Sequence, residues 1–220
     1  MKMLLTSSGI SNASIRNALV ELLGKPISES DALFIPTAIY PIPNGGEIMR
    51  KVICGTLGDP FCDLGWKTCG LLELTALPTL KKELWLPKLQ NADVLLVGGG
   101  DCQYLTYWLQ QSGIAAMLPE LSEKLVYVGL SAGSMIMTSY GTTYGNHTLP
   151  ANTDKCLGLL NFAIHPHLNY PGFVNNTLQK LAELAATLPI PSYAIDDQTA
   201  IKVIDDRIEV ISEGHWQLFE

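Results

Sequence analysis

The chain is poor in positive charge, with 14 lysines and arginines against 21 aspartates and glutamates in 220 residues, a formal net charge of −7 and a pI near 5.1. Nucleic-acid phosphates are held by clustered basic residues, and no such cluster occurs, so a nucleic-acid partner is excluded. Long hydrophobic runs are also missing: nothing approaches the roughly 20 apolar residues that span a bilayer. The opening Met1-Lys2-Met3-Leu4-Leu5-Thr6-Ser7 is too short an apolar run for a signal peptide, and the expected location is the cytoplasm with no membrane partner. The five cysteines, Cys54, Cys62, Cys69, Cys102 and Cys156, are odd in number and lack a Cys-x-x-Cys spacing. That pattern argues against a disulfide framework and a zinc knuckle and fits a reducing compartment. Repeats and low-complexity tracts are absent as well.

What remains is 47% hydrophobic, ample for a buried core, and the length fits one large domain over residues 1–220. Continuous apolar runs at Met3–Thr6, Ala32–Pro36, Asp93–Val97 and Leu125–Val128 read as buried parallel strands. A further strand is expected at Leu71–Leu74, and helical faces at Ile15 to Leu23, Glu47 to Leu57, Leu80 to Leu89 and from Cys102. Beyond residue 160 the pattern gives a strand over 161–164, then a helix carrying Val174, Leu178, Leu181, Ala185 and Leu188. A strand over 193–195, a hairpin turned at Asp205-Asp206 and a last strand over 216–219 follow. The fold expected is α/β, a three-layer domain with a mainly parallel central sheet and helices on both faces.

Tyr127-Val128-Gly129-Leu130-Ser131-Ala132-Gly133-Ser134 reads as a strand running into Gly-x-Ser-x-Gly. This pattern puts a serine on a sharp strand-to-helix turn, where small residues let strand and helix pass closely and the hydroxyl stands above the sheet. The helix that follows is expected to aim its unpaired N–H groups, and the positive end of its dipole, at charge forming beside the serine. Gly98-Gly99-Gly100 after another strand suits the second half of an oxyanion hole, because a phosphate loop would need a following Gly-Lys-Ser/Thr.

A serine nucleophile needs a base, and there are four histidines. His215 lies in a polar turn and His147 in a polar loop, which leaves His165 and His167, both just after a buried strand at the sheet edge expected to carry Ser131. As His-x-His the pair could share a metal, but no third ligand has a convincing spacing, and no metal or cofactor is expected. For the orienting carboxylate, Asp101, Asp154, Asp196 and Asp197 all stand in turns, and spacing alone does not choose among them.

These motifs, with Phe34-Ile35-Pro36-Thr37 and Ile164-His165-Pro166-His167, resemble the serine peptidases typified by dipeptidase E, an aspartyl dipeptidase, and cyanophycinase, in the class I glutamine-amidotransferase-like fold. The resemblance covers nearly the whole chain. It implies a serine peptidase acting on short peptides, a dipeptidase with a family preference for aspartate, in which Ser131 is the nucleophile and His167 the base. The oxyanion hole would use amides near Gly100 and of Ala132. In dipeptidase E the acid lies between serine and histidine, where Asn146 stands here with Asp154 the nearest carboxylate. Asp196-Asp197-Gln198-Thr199-Ala200 is similar to the Asp-Glu-x-Thr-Ala stretch of cyanophycinase-like members and implies Asp197 as the acid, with Asp154 the alternative. Asp101 replaces the asparagine usual after the glycines. A carboxylate there would weaken the aspartate preference and could pair with a substrate α-ammonium. The rival readings are an esterase or amidase on the same scaffold and a catalytically silent binding homologue. An exposed edge or helix face leaves room for a homodimer.

Overall fold

Alternation along the strands divides the core in two. In β1 (Lys2–Thr6), β2 (Asp31–Ile35), the edge strand β3 (Thr68–Leu71), β4 (Val94–Val97) and β5 (Val126–Leu130), side chains point alternately to opposite faces. Met3, Leu5, Leu33, Ile35, Leu95, Val97 and Tyr127 therefore join one buried cluster. Leu4, Ala32, Phe34, Val94, Leu96, Val126 and Val128 join the other. Strands buried on both faces read as unbroken apolar runs, which is why four of the five were legible.

The computed structural model describes residues 1–57, 61–121, 124–141, 149 and 155–220. The main sheet has strand order β3-β2-β4-β5-β1-β8-β9, where β8 is Thr199–Ile204 and β9 is Arg207–Ser212. The first five strands are mutually parallel, while β8 runs antiparallel to β1 and β9 antiparallel to β8. Helix α1 (Ala13–Leu23) covers one face with Ile15, Ala18, Leu19 and Leu22; Asn12 caps its start by accepting from Ile15 N–H at 2.9 Å. Helix α2 (Gly45–Ile53) lies beyond the C-terminal end of β2. The opposite face is covered by Leu89 of α3 (Leu86–Asn91), Leu105 and Leu109 of α4 (Cys102–Gln111), and Ile114 and Leu118 of α5 (Ile114–Leu121). Among the described residues no helix is long and apolar enough to cross a membrane.

A second sheet, not expected from the sequence, has order β10-β7-β6, with β6 at Ala163–His165, β7 at Ser192–Ile195 and β10 at Trp216–Phe219. The three-residue β6 runs parallel to β7, and α7 (Leu178–Ala185) packs Leu181 against Leu168 and Ala194. Three other expectations shift. The strand placed at 71–74 lies instead at Thr68–Leu71, because an edge strand needs no apolar residues, whereas Leu72 and Leu74 bury beyond its end. The helix expected over 80–89 divides into a 3₁₀ turn at Lys82–Leu84 and α3, with Pro87 at the start of α3 where a missing N–H is tolerated. And α7 starts only at Leu178, where Thr177 caps it, leaving Val174 73% exposed.

Candidate active site

Strand β5 delivers Ser131 at φ 51° and ψ −110°, followed by α6, the single helical turn Ala132–Met135. A positive φ on a residue with a Cβ is strained and persists only where its surroundings fix it. Those surroundings are close-packed: a Cβ on Gly129 would lie 2.6 Å from the Gly133 carbonyl, and one on Gly133 would lie 2.1 Å from Val97 O. Hydrogen bonds pin the turn. Ser131 N–H donates to Thr6 O at 3.0 Å, Ser134 Oγ to the same carbonyl at 2.7 Å, and the buried Tyr127 hydroxyl to Gly133 O at 2.5 Å. Because α6 is one turn long, it contributes its free N–H groups and little macrodipole, in contrast to the longer helix expected.

The second sheet brings the other groups. His167 follows β6 and Asp197 follows β7, so the parallel pairing of these strands sets the two side by side. His167 Nε2 lies 2.9 Å from Ser131 Oγ, and its Nδ1 lies 2.7 Å from Asp197 Oδ1. A hydrogen from Nδ1 to the carboxylate leaves Nε2 as the acceptor facing the hydroxyl. Burial pushes the Asp197 carboxyl up, but hydrogen bonds from His167 and Ser7, with attraction to the imidazole, outweigh it and hold the pKa below the usual value. Phe173 stacks on the imidazole with centroids 4.9 Å apart and planes 18° apart, shielding one ring face from water.

Ser7 is the residue the sequence did not disclose. Standing just after β1, it donates from Oγ to Asp197 Oδ1 at 2.7 Å and accepts the backbone N–H of His167 at 2.8 Å. His167 has φ 60°, so this bond fixes a strained backbone as well as a carboxylate. A serine at a strand end is indistinguishable in sequence from a turn former.

Facing Ser131, the Gly98–Gly100 loop lines the same cleft. Gly100 has φ 140°, and a Cβ there would lie 2.1 Å from Ala38 O, so only glycine fits. Among the described residues no backbone carbonyl accepts from the amides of Gly99, Gly100 or Ala132, which leaves them available to an oxyanion.

Other candidates have different places. Asp101 is fully buried at the N-cap of α4, where Oδ1 accepts from Tyr104 N–H at 2.7 Å. Without exposure it cannot meet a substrate ammonium, and the expected substrate contact is corrected to a helix cap. Asp196 accepts from Gln198 N–H, Thr199 Oγ1 and His215 N–H, bracing the turn before β8. His165 points into the core at 6% exposure, its Nε2 without a hydrogen-bond partner among the described residues, and burial lowers its pKa to about 4. It stays a neutral imidazole, apart from the Ser131 hydroxyl that His167 meets. The alternative acid Asp154, with Asn146 and His147, lies outside the described residues.

The family model for peptidase family S51 matches residues 3–211. Peptidase E of Shewanella denitrificans is 29% identical over 228 residues, covering 99% of this chain and 90% of that protein. Peptidase E of Streptomyces coelicolor is 28% identical over 141 residues, 61% of this chain and 58% of that one. A crystal structure from Listeria monocytogenes EGD-e, provisionally designated a peptidase E protein, superposes with a TM-score of 0.71 at 20% identity, covering 97% of this chain and 98% of its own. That likeness is one of fold. With the family match extending over nearly all the strands and turns that assemble the site, the chain belongs to peptidase family S51 and is a serine-type peptidase.

Proposed function

We propose that the chain is a dipeptidase that cleaves after the N-terminal residue of short peptides by way of an acyl-enzyme. Ser131 Oγ attacks the peptide carbonyl while His167 Nε2 takes its proton, and Asp197 steadies the imidazolium that results. The negative charge on the carbonyl oxygen is met by the amides of Gly100 and Ala132. Collapse of the tetrahedral intermediate breaks the C–N bond, and the proton on Nε2 passes to the departing amine. Water, activated by the same imidazole, then releases the acyl group from Ser131. No cofactor enters any of these steps.

The observation that carries this reading is the continuous chain Ser131 Oγ, His167 Nε2, His167 Nδ1 and Asp197 Oδ1, joined at 2.9 and 2.7 Å. Support for the dipeptide scope comes from the resemblance to peptidase E and from a cleft of about 650 Å³ over Ser131, of the size that holds a small ligand. A cytoplasmic location, supported by the cysteine pattern, is part of the same proposal. Steady-state hydrolysis of a dipeptide panel by the wild-type chain and by Ser131→Ala tests it: dipeptides are cleaved, and the variant loses at least about 10³-fold in kcat. Hydrolysis of simple esters alone, with no dipeptide turned over, would instead identify an esterase.

A further inference from the structure

The cleft over Ser131 has a continuous apolar wall. Ile39, Ile42, Ile48, Met49, Val52 and Phe61 form this wall. Helix α2 supplies three of them and turns its charges outward, where Arg50 Nη2 pairs with Glu47 Oε1 at 2.9 Å. Among the described residues, the one formally charged side chain lining the cleft is Asp197, already engaged with His167 and Ser7. The residues outside the described set, 58–60, 122–123, 142–148 and 150–154, contain neither lysine nor arginine. Every lysine and arginine of the chain is therefore among the described residues, and none lines this cleft.

The side of the cleft taken by each half of the substrate follows from proton transfer. The imidazole returns its proton to the leaving amine, so the departing residue lies beside His167 and the aromatic pair Tyr170 and Phe173, centred 6.1 and 4.9 Å from that ring. The acyl residue is then directed past the glycine loop, which is continuous with the apolar wall: a Cβ on Gly98 would lie 3.1 Å from Phe34 Cε2, and one on Gly100 2.9 Å from Ile39 N.

Resting on the peptidase reading above, we infer that the residue whose carbonyl is attacked carries a large apolar side chain of the leucine, methionine or phenylalanine class, and that aspartate is disfavoured there. A carboxylate entering this wall would lose its water with no lysine or arginine to pair with, while an alkyl or aryl group gains from leaving water.

The test uses the full wild-type chain and X-Leu dipeptides in which X is Leu, Met, Phe, Ala or Asp. The expected kcat/KM for Leu, Met and Phe exceeds that for Ala and Asp by on the order of 10- to 100-fold. Asp equal to or above Leu, or Ala equal to Leu, overturns the inference while leaving dipeptidase activity intact. If no dipeptide is cleaved, the dipeptidase reading fails on its own, and a second readout still decides this one. That readout is protection of Ser131 from a fluorophosphonate by boronic-acid analogues of leucine and aspartate. The leucine analogue is expected to protect at a concentration at least about tenfold lower, and equal protection overturns the inference. Met49→Lys, on the partly exposed helix α2, is expected to narrow the Leu-over-Asp ratio by about tenfold; an unchanged ratio removes this wall from the acyl subsite.

Discussion

Ser7 Oγ lies 2.8 Å from the backbone nitrogen of His167 and accepts its N–H, while donating to Asp197 at 2.7 Å. One hydroxyl thus ties the segment bearing the base to the carboxylate facing it, from a third strand belonging to the other sheet. Ser7→Ala removes a hydrogen bond to a charged group, worth about 1.5–3 kcal/mol. The expected result is a fall in kcat on the order of tenfold to a hundredfold with KM little changed, and partial recovery in Ser7→Thr. A residue that served folding alone would lower the melting temperature and leave kcat per folded molecule unchanged.

The two carboxylates proposed for the acid role separate cleanly by substitution. Asp197→Asn should lower kcat by about 10³- to 10⁴-fold at neutral pH, because an amide does not stabilise an imidazolium and favours the wrong tautomer. Asp154→Asn should leave kcat within about threefold, since on this reading Asp197 alone orients the imidazole. Since the Asp197 pKa is held below the usual carboxylate value, the carboxylate stays ionised through the neutral range. Protonation of Asp197 is therefore expected to leave no limb in the kcat/KM profile within the neutral range.

Buried His165 makes stability depend on pH. Its folded pKa of about 4 lies below the ordinary histidine value of 6.5, so between these values the unfolded chain binds a proton that the folded chain does not. Stability is then free of this penalty above pH 6.5, falls as pH drops through that window, and is lower by about 3 kcal/mol below it. Urea unfolding of the wild-type protein and of His165→Leu at pH 7.5 and 4.5 measures the difference. The stability loss between the two pH values should be smaller in the variant by about 2–3 kcal/mol.

Much of this architecture could be read from residue pattern, and the limits have physical causes. Strands β1, β2, β4 and β5 announced themselves because burial on both faces removes polar residues from them. Strand β3, exposed at an edge with Thr68, Cys69 and Gly70, has no such signature. The three strands of the second sheet were each expected within a residue or two of where they lie, but their pairing as a separate sheet was not legible, because an apolar run shows that a strand is buried and not which strand it pairs with. At the site, Ser131 was marked by its glycines, whose absent Cβ atoms the packing demands. His167 and Asp197 were singled out by resemblance, since pattern alone left His165 and three other aspartates equal to them. Ser7 carried no mark, and Asp101 misled because helix caps and substrate carboxylates draw on the same residue.

The central claim, that the Ser131 hydroxyl is made reactive by His167, is tested most directly by intact-protein mass spectrometry after treatment with a fluorophosphonate. The account predicts a single adduct on the wild-type chain, mapped by peptide digestion to Ser131, and no adduct on folded His167→Ala over the same interval. A folded wild-type protein that stays unmodified, or an adduct that forms as fast without the imidazole, would contradict it.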